Sequence, residues 1–289
     1  MHYQGTIYRP PSEANSILLQ VTTGCSHNKC TFCGMYKDKR FSVTPLETVF
    51  ADIEFASCSF PSARRVFLCD GDALILPQAK LIAILTKIRS LLPQVTRVGI
   101  YANSKSLKLK SVEELRELRQ LGLGIAYMGL ESGDEQTLTA IKKGATAAQM
   151  IEMGQKAKAA GIQLSVTVLL GIAGAERSER HASETGRVLS AMDPDYVGAL
   201  SLMIEPGTSL YDDIQSGRFL PPEPLVIVRE LRTMIAHTEL TGGLFHANHA
   251  SNYLPIRAKL PEEKATTLAL LDRALAGALS LKPEYLRAL

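Results

Sequence analysis

The chain has 289 residues, 46% of them hydrophobic and 21% charged, with 32 Lys and Arg against 29 Asp and Glu. That composition belongs to a globular chain with a sizeable core and excludes a disordered one. A net charge of +3 lacks the basic excess of a nucleic-acid-binding protein, no apolar run is long enough for a membrane span, and Met1-His2-Tyr3-Gln4 does not open a signal peptide.

After an N-terminal extension over 1–15, apolar runs at 17–21, 66–68, 95–101, 125–130, 164–170 and 196–202 predict strands. Between them, amphipathic stretches at 45–55, 78–91, 112–121, 145–160 and 177–192 predict helices. Ser111 stands one residue before the apolar positions Val112, Leu115 and Leu118, where an N-cap belongs. Strands alternating with helices predict an α/β fold with a parallel sheet. Six such units, rather than eight, predict a partial (β/α)6 TIM-like barrel over 16–215. Past the turn at Glu205-Pro206-Gly207-Thr208 and the break at Pro221-Pro222-Glu223-Pro224, helices at 225–240 and 261–278 flank a polar segment, His246-Ala247-Asn248-His249-Ala250-Ser251-Asn252. This tail, 216–289, reads as a C-terminal helical cap.

The chemistry concentrates in Cys25-x4-Cys30-x2-Cys33, directly after the first predicted strand. Thiolates are soft ligands suited to iron–sulfur clusters, and three of them leave one iron of a [4Fe–4S] cluster open to another molecule. The competing reading is a structural zinc completed by His27, on a non-catalytic binding protein. Two points favour the cluster: parallel α/β folds carry catalytic groups on the loops after their strands, and a chain this large needs no metal staple. Cys58 and Cys69 read as buried small apolar residues. Five cysteines, three of them crowded, do not form a disulfide framework, so a cytoplasmic protein is expected.

Later predicted strand ends also carry polar or glycine-rich turns. Leu68-Cys69-Asp70-Gly71-Asp72-Ala73 is either a simple turn, with Gly71 supplying an unusual backbone angle, or a carboxylate and backbone carbonyls of the kind that suit an ammonium group. Asn103 and Ser104 follow the third strand, and Gly129-Leu130-Glu131-Ser132-Gly133 ends the fourth. Leu169-Leu170-Gly171-Ile172-Ala173-Gly174 ends the fifth and lacks the lysine of a phosphate loop. Arg177 either pairs with a ligand carboxylate or is an exposed helix-start residue. His246 and His249, with Asn248 and Asn252, either hold substrate and move a proton or satisfy their own loop.

With these motifs in hand, the chain resembles the radical S-adenosylmethionine (SAM) enzyme superfamily over about 16–210. Its cysteine spacing is one residue longer than usual, and Asp70 and Asp72 stand where the family has Gly and Glu. Glu205-Pro206-Gly207-Thr208-Ser209-Leu210 resembles the branch that includes coproporphyrinogen dehydrogenase. The resemblance implies a [4Fe–4S] cluster on Cys25, Cys30 and Cys33, with SAM chelated at the open iron. It places Phe32 near the adenine, Gly71 and Asp72 at the methionine amino group, and Glu131 at the ribose hydroxyls. It places Gly171 and Ile172 at the base. It further implies reductive SAM cleavage to a 5′-deoxyadenosyl radical that abstracts hydrogen from a small-molecule substrate, with a reduced flavodoxin- or ferredoxin-type electron donor. Methyl transfer with a second SAM is an alternative outcome.

Overall fold

In the computed structural model, which describes residues 1–288, eight strands share one sheet. In spatial order they are β1 (Ile17–Gln20), β4 (Arg65–Cys69), β5 (Arg97–Ala102), β6 (Leu123–Glu131), β7 (Gln163–Leu170), β8 (Tyr196–Ser201), β9 (Leu244–Ala247) and β10 (Ile256–Lys259). A separate pair, β2 (Thr22–Thr23) and β3 (Ser42–Val43), is antiparallel. The pairs β1/β4, β4/β5, β5/β6, β7/β8 and β8/β9 are parallel, and β10 is antiparallel to β9. The expected mostly parallel α/β sheet is therefore present. The chain divides into two compact units: Met1–Asn28 with Met35–Met128 and Lys156–Leu164, and Lys29–Gly34 with Gly129–Gln155 and the chain from Ser165 onward.

In the first unit, Val66, Phe67, Leu68 and Cys69 of β4 are all fully buried, the continuous apolar run that a central parallel strand needs. Helix α1 (Leu46–Ser59) leads into β4, and α2 (Gln78–Leu91) follows it. The buried face of α2, Leu81, Ile84, Leu85 and Ile88, has helical spacing; each such side chain stabilises the fold by about 1.5–3 kcal/mol through removal from water. Helix α3 (Ser104–Lys108) opens with a capping box between Asn103 and Ser106. Helix α4 (Val112–Gln120) has the same device in Ser111 and Glu114, so Ser111 is the N-cap its position indicates.

Glu13 is one of several buried charged residues in this unit. Glu13, in a short 3₁₀ turn (Pro11–Glu13), is fully buried and accepts from Arg97 Nη2 at 2.6 Å and from the Tyr127 hydroxyl. Phe67 stacks edge-to-face on Tyr101 and Tyr127, with ring centroids 4.8 and 5.5 Å apart. The N-terminal extension is thus anchored by a polar group inside an aromatic cluster.

The second unit includes α5 (Glu135–Ala140), part of α6 (Ala147–Ala159), α7 (Gly174–Met192), α8 (Ser209–Gln215), α9 (Pro224–Ala236) and α10 (Lys264–Leu275). Helix α7 packs against α9, and α9 against α10. The two helices expected in the tail are α9 and α10. The segment between them is not only a loop, because β9 and β10 extend the sheet there. Strand β8 would otherwise leave unpaired backbone groups at an open edge, and pairing with β9 satisfies them. The tail is accordingly a mixture of strand and helix rather than helix alone.

Candidate functional site

In the first unit, Gly24 and Cys25 follow β2, and Asp70, Gly71 and Asp72 follow β4. Asp70 is fully buried, and its Oδ2 accepts from Gln20 Nε2 (2.9 Å) and from the backbone N–H of Gly24 (3.2 Å), with Lys39 Nζ at 3.5 Å. It ties the start of the cysteine loop to the end of β4. Gly71 is required by space. A Cβ there would lie 2.7 Å from Tyr36 Cε2 and 3.1 Å from Cys25 Cβ, so the bare backbone is pressed against the first cysteine.

Asp72 is also fully buried. Ser26 Oγ donates to its Oδ2, whereas Oδ1 has no hydrogen-bond partner. Burial pushes its carboxyl above the usual range, and hydrogen bonds from Ser26, Ser106 and Asn103 pull it part of the way back. An acid with one buried oxygen unsatisfied is set up to receive a cation or donor. Asn103 is engaged as the N-cap of α3, accepting from Ser106 N at 2.9 Å. Cys69 is buried and donates to the Leu19 carbonyl (3.4 Å); burial, reinforced by Asp70, raises its thiol pKa, which makes it inert. Cys58, expected to be buried, is exposed on α1.

In the second unit, the segment carrying Cys30 and Cys33 is fastened by its backbone. Thr31 N donates to Ile141 O (3.0 Å), Leu210 N donates to Thr31 O (3.0 Å), and Gly34 N donates to Glu205 Oε2 (2.8 Å). Phe32 packs against an apolar cluster of Ile141, Leu169, Ile172, Leu202 and Leu210. Ile172 is 1% exposed, so it supports Phe32 from within the core and offers no open surface to a flat ligand. This corrects the expectation that Ile172 itself would meet the base.

Glu131, at the end of β6, has φ +65°, a left-handed conformation that costs a non-glycine residue about 1 kcal/mol. Its Oε1 pairs with Lys143 Nζ at 3.0 Å. The carboxylate doubles back over Gly129, where an added Cβ would lie 2.2 Å from Oε1. Gly171, at the end of β7, has φ +84°, and its N–H donates to Glu230 Oε1 at 2.6 Å.

Arg177 does not present an uncommitted guanidinium. It pairs with Asp134, with Nη2 at 2.8 and 2.9 Å from the two carboxylate oxygens. Of the two histidines, His246 lies in β9, and its Nε2 is buried without a partner. His249 Nδ1 is 2.9 Å from Ser251 Oγ. Burial lowers the pKa of both, aided by Arg257 at His246 and Lys282 at His249, so both are neutral at pH 7. Asn252 is a buried brace for β8, accepting from Ser201 Oγ (2.8 Å) and donating to Ala199 O (2.8 Å). Asn248 is exposed.

A network behind Gly171 had no signal in the sequence. His181 is fully buried, with Nδ1 2.7 Å from Ser132 Oγ and Nε2 3.3 Å from Glu230 Oε1, too poorly aligned for a hydrogen bond. Ser178 Oγ donates to the other oxygen of Glu230. The trio resembles a hydrolytic triad in residue type alone. With His181 and Ser132 fully buried and Glu230 1% exposed, it meets no substrate, and its geometry braces the β6 and β7 turns.

The mostly parallel sheet defines an α/β protein, and the cysteine-bearing loop after β2 sets it in the iron–sulfur class. More narrowly, the chain belongs to the radical SAM superfamily, whose characteristic domain matches residues 19–183, more than half its length. It is 21% identical over 165 residues to the heme chaperone HemW of Bacillus subtilis (strain 168), covering 56% of this chain and 43% of that protein. The fold is similar to methylornithine synthase (PylB), with TM-score 0.56 and 18% identity over 78% of this chain and 63% of that one. It is also similar to the radical SAM methyltransferase TsrM of Kitasatospora setae, with TM-score 0.59 and 15% identity over 93% of this chain and 55% of that one. The chain therefore spans less than two thirds of the length of these relatives.

The superfamily's cofactors are a [4Fe–4S] cluster and SAM, and the donor set fits them: Cys25, Cys30 and Cys33 are partly exposed and none forms a disulfide. Gly71 packed on Cys25 and the unsatisfied oxygen of Asp72 fit a ligand seated beside the thiols. Among the described residues, no three His, Cys, Asp or Glu side chains are gathered closely enough to hold a lone metal ion. No helix among them is long and apolar enough to cross a membrane.

Proposed function

We propose that this radical SAM enzyme uses one cluster, held by Cys25, Cys30 and Cys33, to cleave SAM reductively and to abstract hydrogen from a small-molecule substrate. The observation that carries the reading is the thiolate triad at the end of the first strand, with the bare backbone of Gly71 pressed on Cys25. When bound, the cluster supplies the electron that breaks a carbon–sulfur bond of SAM.

The protein's own residues bind and orient. Asp72 offers its unsatisfied oxygen to the methionine ammonium, an ion pair that also offsets the burial of the acid. Glu131, preset by its left-handed backbone, accepts from the ribose hydroxyls. Gly171 brings backbone close to the adenine, while Phe32 and the core cluster behind it form an apolar wall. Arg177 has no direct part, because Asp134 holds it. His246 and His249, neutral at pH 7, are the residues able to exchange a proton with substrate. A flavodoxin- or ferredoxin-type protein in the cytoplasm is the proposed electron donor.

Anaerobic reconstitution with iron and sulfide, followed by reductive SAM cleavage, tests this reading. Wild-type protein is expected to bind iron and to form methionine and 5′-deoxyadenosine, and Cys30→Ala to do neither. Iron-free protein, or a Cys30→Ala variant with full SAM cleavage, refutes it. The relative named as a heme chaperone motivates a second reading, in which the chain carries heme. Stoichiometric heme binding without any SAM turnover would favour that alternative.

A further inference from the structure

One face of the last four strands in the sheet is unlike the other. Val166 and Val168 of β7, Val197 and Ala199 of β8, Phe245 and Ala247 of β9, and Ile256 and Ala258 of β10 are at most 2% exposed. Side chains alternate across a strand, so the residues between them share the opposite face. Thr167 is the register partner of Gly198, Gly198 of His246, and His246 of Arg257. These four residues make a straight row across the strands, with neighbouring positions about 5 Å apart. Thr167, Gly198 and His246 are partly exposed and Arg257 is exposed, which makes this the accessible face.

The chemistry of the row has one sign. The four strands carry no Asp or Glu, and among the described residues Arg257 has neither an ion pair nor a hydrogen bond from its side chain. Lys259, one row away, is already paired with Glu262 at 2.7 Å. His246 Nε2 is enclosed without a partner, and a buried polar atom in that state is normally satisfied by something. Gly198 leaves space beside the imidazole: a Cβ there would meet only Leu200 Cδ1, at 3.9 Å. Thr167 adds a hydroxyl on the far side of that gap.

We infer that Arg257, His246 and Thr167 around the Gly198 gap form an oxyanion subsite for a carboxylate or phosphate group of the substrate. The guanidinium supplies a two-pronged, charge-assisted donor, and His246 and Thr167 supply neutral donors beside it. That the ligand is a substrate rests on the radical reading above; the anion site itself does not.

Cluster-reconstituted protein is titrated calorimetrically with inorganic phosphate and, separately, with acetate, at fixed ionic strength. Saturable binding of at least one anion is expected, and the tighter one identifies the group recognised. Arg257→Gln is expected to weaken it about tenfold or more, the scale of one charge-assisted hydrogen bond, and Arg257→Lys to recover part of the loss. Lys259→Gln is expected to stay within about twofold, because its charge is already paired. Arg257 is exposed, and an unchanged melting temperature for its variants confirms that folding is intact. Absence of saturable binding to wild type, undiminished binding by Arg257→Gln, or an equal loss in Lys259→Gln each overturns the subsite. Arg257-dependent anion binding in protein that fails to cleave SAM upholds the subsite and refutes the radical reading separately.

Discussion

Gly129→Ala isolates the role of Glu131 without touching its carboxylate. The new methyl would lie 2.2 Å from Glu131 Oε1, 3.0 Å from Lys143 Nζ and 3.3 Å from Glu131 Cδ, all of them side-chain atoms. No carbon–oxygen pair tolerates 2.2 Å, so the carboxylate must swing away while the strand stays in place. Folding is affected little. The displaced Glu131–Lys143 pair, 12% and 13% exposed, is worth about 1–2 kcal/mol, and replacing glycine inside a strand returns about 0.5–1 kcal/mol. The melting temperature should therefore move by only a few degrees, at about 2–4 °C per kcal/mol for a chain of this size. SAM affinity responds differently. Loss of one hydrogen bond to a charged group, about 1.5–3 kcal/mol, weakens binding roughly tenfold to a hundredfold. Equilibrium binding of SAM to reconstituted protein measures this for Gly129→Ala, Glu131→Ala and the double variant. In the double variant, Gly129→Ala should add nothing to Glu131→Ala, since the group it displaces is gone. Wild-type affinity in Gly129→Ala, or full additivity in the cycle, refutes the assignment of Glu131 to the ribose.

Asp134→Ala removes both the N-cap of α5 and the partner of Arg177, and should lower stability at neutral pH by about 2 kcal/mol in urea unfolding. Burial alone would raise the Asp134 pKa, but hydrogen bonds from Thr137 and Arg177 outweigh it and hold the folded value low. Its contribution is present above the unfolded carboxylate value near ~4 and is lost as pH falls through the folded value, so the difference between wild type and Asp134→Ala should shrink in that acid window. Glu13→Ala strands Arg97 and the Tyr127 hydroxyl and should cost about 3 kcal/mol by urea midpoint; a loss below about 0.5 kcal/mol would show that the anchor is dispensable. His246 and His249 have lowered folded pKa values, so the unfolded chain binds protons first as pH drops below about 6.5. Stability should fall from there down to the folded values, and replacing both with Gln should flatten that part of the pH profile.

Local chemistry wrote much of this protein into its sequence. The α2 span was legible at both ends because four apolar residues at helical spacing must share one buried stripe. Ser111 was legible because a hydroxyl before a helical run satisfies its first amide groups. The three cysteines are read as a soft-metal ligand set because few other uses crowd thiols so tightly, and iron reconstitution is the test of that reading. Strand limits were less visible. Arg65 belongs to β4 because its backbone pairing continues past the apolar run, whereas β5 begins at Arg97, two residues after the start of its run. Strand β9 carried almost no signal, being four residues with a histidine inside and an identity that depends on the edge of β8.

What only the folded chain decided were pairings between residues far apart in sequence. Asp134 taking Arg177, Glu230 and His181 bracing Gly171 and Ser132, and Arg257 aligning with His246, Gly198 and Thr167 all depend on strand register and helix packing. The reason is physical. Periodicity and capping act over three or four residues and leave a trace in neighbouring letters, whereas a hydrogen bond across many tens of residues exists only after the intervening chain has packed.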